Sequence, residues 1–184
     1  MNGNGDPHPA AGDPGHIRNV ALVGPQSVGK TMLIEAMLHA AGASHRLGTV
    51  QDGTTISDHT DAEKRLGHSV HLTVASFDLK DAELTKGEAI AINLIDTPGH
   101  PDFVGELRAG LRGADAALFV VSGVDGVDPA TARLWRECAL ADMPRVVVIT
   151  HLDADRADYA FGEYRYFPGH DRELFLELGY RRGP

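Results

Sequence analysis

The residues with the clearest chemical content are Gly24-Pro25-Gln26-Ser27-Val28-Gly29-Lys30-Thr31, which carry the pattern G-x-x-x-x-G-K-[ST] at every fixed position. Gly24 and Gly29 let a backbone wrap closely around phosphate oxygens, so that the loop amides point inward. A helix opening at Lys30 adds the positive end of its dipole to the same spot. Lys30 brings a point charge suited to β- and γ-phosphates, and Thr31 a hydroxyl suited to Mg²⁺. A chance Gly-rich turn shares this composition, but it does not bring a strand signal before it and a helix signal after it.

A second constellation, Asp96-Thr97-Pro98-Gly99-His100, follows directly on an apolar run. An acid at a strand end is where nucleotide-hydrolysing folds hold Mg²⁺ through a water. Gly99 can turn its N–H toward a γ-phosphate at little steric cost. His100 comes next, where a side chain can touch an attacking water. By itself this pentapeptide is equally an ordinary turn; the upstream octet gives it chemical meaning.

The elements that must position these residues follow from periodicity. Residues 1–16 are Gly, Pro, Asp, Asn and His with almost nothing to bury, and read as a disordered lead-in. Ile17 to Val23 is a strand, and Lys30 to Ala41 a helix with Leu33, Met37 and Ala41 on one face and Ile34 and Leu38 beside it. Residues 42–68 form a long polar loop of the kind that usually carries function. Ser69 to Leu79 and Ala89 to Ile95 make a hairpin, Pro101 to Leu111 a helix, and Ala116 to Val121 a buried parallel strand. Asp128 caps a helix with Pro129 at its first position and Leu134, Cys138 and Ala141 as its buried stripe, and Arg145 to Ile149 is a further parallel strand. This alternation predicts an α/β fold with a mostly parallel sheet and helices on both faces, its ligand at the carboxyl ends of the strands.

Composition narrows the class. With 184 residues and 42% hydrophobic content, the chain suits one domain with a real core. A net charge of −9 argues against direct DNA binding through a basic surface. The single cysteine, Cys138, rules out an internal disulfide and fits a reducing cytoplasm, where its bland role is a small core residue. Ten histidines are scattered without metal-ligand spacing. No apolar stretch approaches the ~18 residues of a membrane span, and the N-terminus lacks the apolar core of a signal peptide.

In order and spacing these elements resemble the translation-factor GTPases, specifically the G domain of elongation factor G and, within it, an elongation-factor-G-like paralogue. The carriers are IRNVALVGPQSVGKT, DTPGHPDF, DAALFVVSGVDGVDPATARLWR and PRVVVITHLD, over about Ile17 to Asp158. The resemblance implies a P-loop NTPase three-layer sandwich that binds GTP and GDP with Mg²⁺ and hydrolyses GTP to drive a ribosome-linked conformational switch in the cytoplasm. By resemblance, Gly24 to Thr31 with Thr97, Pro98 and Gly99 hold the phosphates, Thr31, Ser69 and Asp96 serve the Mg²⁺, and His100 orients the attacking water. Thr150, His151 and Asp153 stand where the family has its Asn-Lys-x-Asp guanine signature. Asp153 keeps the carboxylate that accepts two hydrogen bonds from guanine, and His151 can stack on the base as the lysine stem does.

The chain also departs from that pattern. Leu66-Gly67-His68-Ser69 replaces the family's Arg-Gly-Ile-Thr, keeping a hydroxyl at Ser69. The apolar pair that fences the catalytic histidine becomes Gln26 and His68, Ser27 stands for a common carboxylate, and Thr150 does not copy an asparagine amide. The match fades after Asp158, with no Ser-Ala guanine loop in residues 159–184. The expectation is therefore a shortened domain lacking the last strand and helix, with Arg145 to Ile149 as an open edge. Three competing readings stay open at this point: a nucleotide-responsive module with little hydrolysis, an incomplete fragment, and a P-loop kinase, the last disfavoured by the lack of an Arg-rich lid.

Overall fold

The computed structural model describes residues 14–50, 52–56, 69, 71–80, 83 and 85–154, and the backbone of 174–176. Expectations on the first thirteen residues, on Leu66-Gly67-His68 and on most of 159–184 lie outside the described residues.

Strand β1 (Ile17–Val23) runs through the centre of the sheet, and its last three residues, Ala21, Leu22 and Val23, are wholly buried. Helix α1 (Lys30–Ala40) opens on the last two residues of the octet. Strands β2 (Thr73–Leu79) and β3 (Ile90–Asp96) form the antiparallel hairpin, with Thr73 opposite Asp96. A short 3₁₀ turn (Pro101–Phe103) leads into α2 (Val104–Gly113), β4 (Ala116–Ser122), α3 (Pro129–Leu140) and β5 (Arg145–Thr150). With a short β6 (Leu174–Leu176), the described residues form a six-stranded sheet in the order β2-β3-β1-β4-β5-β6. Every pairing except β2–β3 is parallel.

The strand order reverses direction at β1, whose neighbours β3 and β4 are connected to it on opposite sides. In such sheets a crevice opens beyond the carboxyl end of that strand, which is where the octet begins. Two separate cores clamp the sheet. On one face Ile34 and Leu38 of α1 pack on Leu22, Ala75, Phe77 and Leu94. On the other, Leu107 and Leu111 of α2 and Leu134, Trp135 and Cys138 of α3 pack on Ala21, Val23, Phe119 and Val147. Successive β1 residues thus serve opposite faces, as the period of two requires. The Phe119 and Trp135 rings meet edge to face, with centroids 4.9 Å apart, and the Arg145 guanidinium lies 3.9 Å over the Trp135 ring. Burying each such aromatic contributes ~2 kcal/mol or more.

The α/β architecture with helices on both faces is as expected, with three corrections. Ala41 and Ala141 are exposed, because each falls just past its helix; the buried face of α1 is Ile34 and Leu38, and that of α3 adds Thr131 and Trp135. The helix expected from Pro101 begins as a 3₁₀ turn, because the His100 ring accepts the Asp102 amide and caps it there. β5 is not an open edge: the backbone of Leu174–Leu176 pairs with Val146–Val148, so the sheet has a strand beyond it. Pairing satisfies backbone groups that an apolar central strand otherwise leaves bare.

Candidate functional site

The octet turns at the end of β1. Gly24 is required by packing more than by conformation. A methyl group there would run into the Val120 carbonyl oxygen of β4 and lie 3.1 Å from Val28 Cγ2. Gly29 is required by conformation, at φ +88°, and it caps α1 with no side-chain hydrogen bond. The contrast with α3 is informative. There the Asp128 Oδ1 accepts both the Thr131 amide, at 2.6 Å, and the Thr131 hydroxyl, at 2.7 Å. The first turn of α1 has no such side-chain cap to meet its amides, and that is the chemistry of an anion site.

Lys30 is buried, and its Nζ donates to the carbonyls of Gly24 at 2.9 Å and Pro25 at 2.8 Å, so the ammonium group braces the loop from inside. Burial pushes its pKa down to about 8, against the opposing pull of the Asp96 charge. The Thr31 Oγ1 donates to Asp96 Oδ2 at 2.8 Å and lies 3.5 Å from the Ser69 Oγ. Three oxygen-bearing side chains from α1, from the end of β3 and from the segment before β2 therefore converge. An all-oxygen set with one carboxylate suits a hard divalent cation such as Mg²⁺. The three residues expected at the metal are brought together, and Lys30 stands beside them.

The turn after β3 closes over the octet. Thr97 is buried with its hydroxyl on the Leu22 carbonyl at 2.6 Å, which ties the turn to β1. A methyl on Gly99 would lie 2.5 Å from the Gln26 amide nitrogen and 2.6 Å from Lys30 Nζ, so only glycine permits this approach. Pro98 is buried behind it, whereas Gln26 and Ser27 are exposed on the loop crest, Ser27 at φ +63°. His100 is partly exposed and its Nδ1 accepts the Asp102 amide at 3.3 Å; its ring also lines a crevice with Val104, Leu107 and Leu134.

On the far side of the octet, the Thr150 Oγ1 donates to the Val28 carbonyl at 2.7 Å. The hydroxyl therefore tethers the loop even without an asparagine amide. His151 takes a left-handed conformation, φ +57°, and its Nδ1 lies 3.2 Å from the Ser122 Oγ. Its Nε2 approaches Gly29, at 3.7 Å from the position of a methyl there. Asp153 is exposed two residues further along the chain.

Two residues escaped sequence reasoning. Ser122 ends β4, is fully buried, and its hydroxyl accepts the amides of Val124 and Asp125. A serine closing an otherwise apolar strand was its only signal. Glu35 is a carboxyl group at complete burial in α1, hidden in the sequence by an ordinary helical setting.

The family described as the elongation factor Tu GTP binding domain matches residues 15–165. An elongation factor G-like protein of Mycobacterium tuberculosis is 54% identical over 151 residues, which cover 82% of this chain and 20% of that protein. Elongation factor G of Granulibacter bethesdensis is 36% identical, again over 82% of this chain and 20% of its own. A crystal structure of a Thermus thermophilus protein superposes with a TM-score of 0.72 at 42% identity, covering 80% of this chain and 21% of that one. The chain thus spans about a fifth of the length of the relatives it matches. Among the described residues no helix is long and apolar enough to cross a membrane.

Proposed function

The chain belongs to the elongation factor Tu GTP-binding domain family, a class of translation GTPase domains, and on that premise we propose that its octet and the Asp96 turn form one Mg²⁺-dependent site for binding and hydrolysing GTP. The observation that carries this reading is the meeting of Thr31, Asp96 and Ser69 beside the buried Lys30. Loop amides and Lys30 hold the β- and γ-phosphates. Thr31, Asp96 and Ser69 would hold Mg²⁺, which when bound supplies positive charge against the phosphate oxygens. His100 orients the attacking water, and Gly99, already against the loop, presents its amide to the γ-phosphate. Because phosphoryl transfer needs positioning and charge more than covalent chemistry, this set is sufficient in kind. Asp153 selects guanine by accepting its N1 and N2 hydrogens, with His151 against the base.

We extend the proposal to a ribosome-linked cycle in the cytoplasm, in which hydrolysis changes the chain around Ser69. Its support is kinship with proteins named as elongation factor G and elongation factor G-like.

The test is a calorimetric titration with GTP, GDP and ATP, with and without Mg²⁺, on the chain and on Lys30→Met. Guanine nucleotides are expected to outcompete adenine nucleotides, and Lys30→Met to weaken binding by about 100-fold, since a buried charge-assisted contact contributes ~3 kcal/mol. Absence of heat with every purine nucleotide overturns the reading. Single-turnover phosphate release, with and without ribosomes, then separates a hydrolase from a domain that only responds to nucleotide.

A further inference from the structure

Glu35 lies fully buried in α1 and takes no part in the site just described. Its Oε2 accepts the Gly48 amide at 3.1 Å, and its Oε1 accepts the Ile56 amide. The fit around it is close. A methyl on Gly48 would lie 2.7 Å from Glu35 Oε2 and 2.9 Å from the Thr55 Cα. Between these two amides the chain closes on itself: the Thr54 amide donates to the Thr49 carbonyl at 3.1 Å, and the Thr49 amide to the Thr54 hydroxyl at 3.0 Å. A carboxyl group in a core is costly unless it is fully bonded, and here its two oxygens are spent on the two ends of one short excursion.

The position of Glu35 in α1 gives this contact its meaning. It lies four residues after Thr31, hence one turn along the same helix face. Thr31 meets Ser69, and Glu35 meets Gly48 and Ile56. One face of α1 thus grips the connection between α1 and β2 twice, once at the metal site and once a turn behind it.

We infer that Glu35 is a positioning residue for the Thr31–Asp96–Ser69 site, holding Gly48 and Ile56 against the same face of α1 that carries Thr31. The inference rests on the nucleotide reading above. Glu35 touches neither phosphate nor metal; it acts through the backbone it holds. Groups hydrogen-bonded to a metal's direct ligands typically control ~10- to 100-fold of its affinity, and Glu35, one step further back, belongs at the lower end of that range.

The test compares the full chain with Glu35→Gln, in which a donor NH₂ group faces one of the two amides. Amide hydrogen exchange at Gly48 and Ile56 is read without nucleotide, and the Mg²⁺ concentration for half-maximal GTP binding is read alongside Mg²⁺-free GDP binding. We expect faster exchange at one or both amides and a roughly tenfold higher Mg²⁺ requirement, with Mg²⁺-free GDP affinity held within about twofold. An unchanged Mg²⁺ requirement overturns the inference. An equal loss of GTP and GDP binding also overturns it, since that is what a merely structural role produces. If Glu35→Gln does not fold, Gly48→Ala, which crowds the same contact from the other side, is read by the same criteria. Failure of the unaltered chain to bind Mg²⁺–GTP overturns the nucleotide reading instead, and is seen before any variant is made.

Discussion

The Thr150 hydroxyl donates to the Val28 carbonyl at 2.7 Å, joining the end of β5 to the octet across 122 residues of chain. The same oxygen lies 3.2 Å from the Val121 carbonyl, so β4, β5 and the loop share one hydroxyl. The Thr150→Val substitution keeps the shape and removes the donor. It is expected to destabilise the fold by about 1 kcal/mol and to weaken nucleotide binding roughly fivefold. Thermal melting and calorimetric titration check the two effects. Unchanged binding would mean that the loop holds its shape without this tether.

His100 is pinned from behind by the Asp102 amide and stands beside Gly99, which rests on the loop. Its proposed duty concerns the attacking water and not nucleotide affinity. His100→Ala is therefore expected to slow single-turnover phosphate release by about 100-fold or more, while GTP affinity changes by less than about twofold. A matching fall in affinity would assign His100 to binding instead.

Arg108 on α2 and Glu137 on α3 form a two-pronged ion pair, at 2.7 and 3.0 Å, and Glu137 also borders the crevice that His100 lines. The hydrogen bond from Arg108 holds the Glu137 pKa below the ordinary glutamate value. A carboxyl group whose folded pKa is depressed contributes stability above its unfolded pKa and loses it as pH falls through the folded value. Glu137→Gln should thus melt below the unaltered chain at pH 7, and the two melting temperatures should converge as pH falls below the ordinary glutamate value of 4.5. A gap that persists in acid would assign the effect to packing alone. The Arg108 side chain is more than half exposed, so the pH 7 gap is small and shrinks further in high salt.

Cys138 is fully buried in the α3 face of the core, and burial pushes its thiol pKa up to about 12. The folded state prefers the neutral thiol. Its contribution is complete below the ordinary thiol pKa of 9.0 and is lost as pH rises toward 12. Alkylation at pH 8.5 should therefore be negligible in the native chain and rapid in denaturant. Fast labelling of native protein would show that α3 opens readily from the sheet.

Much of the site was legible because it is built from local rules. The octet declares itself through glycines at fixed offsets and a lysine opening a helix, and Asp96 through its place at a strand end. The capped α3 was equally legible, since Asp128 and Pro129 act within one turn. Long-range consequences were not. Ala41 and Ala141 fit the helical period but fall where the helix has already ended. The extra strand after β5 left only a weak apolar alternation at Leu174 and Leu176, and pairing depends on a partner that the local sequence does not name.

The amino-acid sequence alone determined the parts: a glycine-bracketed octet, an acidic turn with its histidine, and strands and helices in an order that allows a parallel sheet. Tertiary structure decided how those parts meet. Thr31 reaches Asp96 across 65 residues, Gly99 rests on Gln26 and Lys30, Thr150 holds Val28, and Glu35 holds Gly48 and Ile56. The physical reason is one of range. Turn and helix preferences act over a few neighbouring residues, whereas a buried hydrogen bond is made by whichever groups the packed sheet brings within about 3 Å, however far apart they lie along the chain.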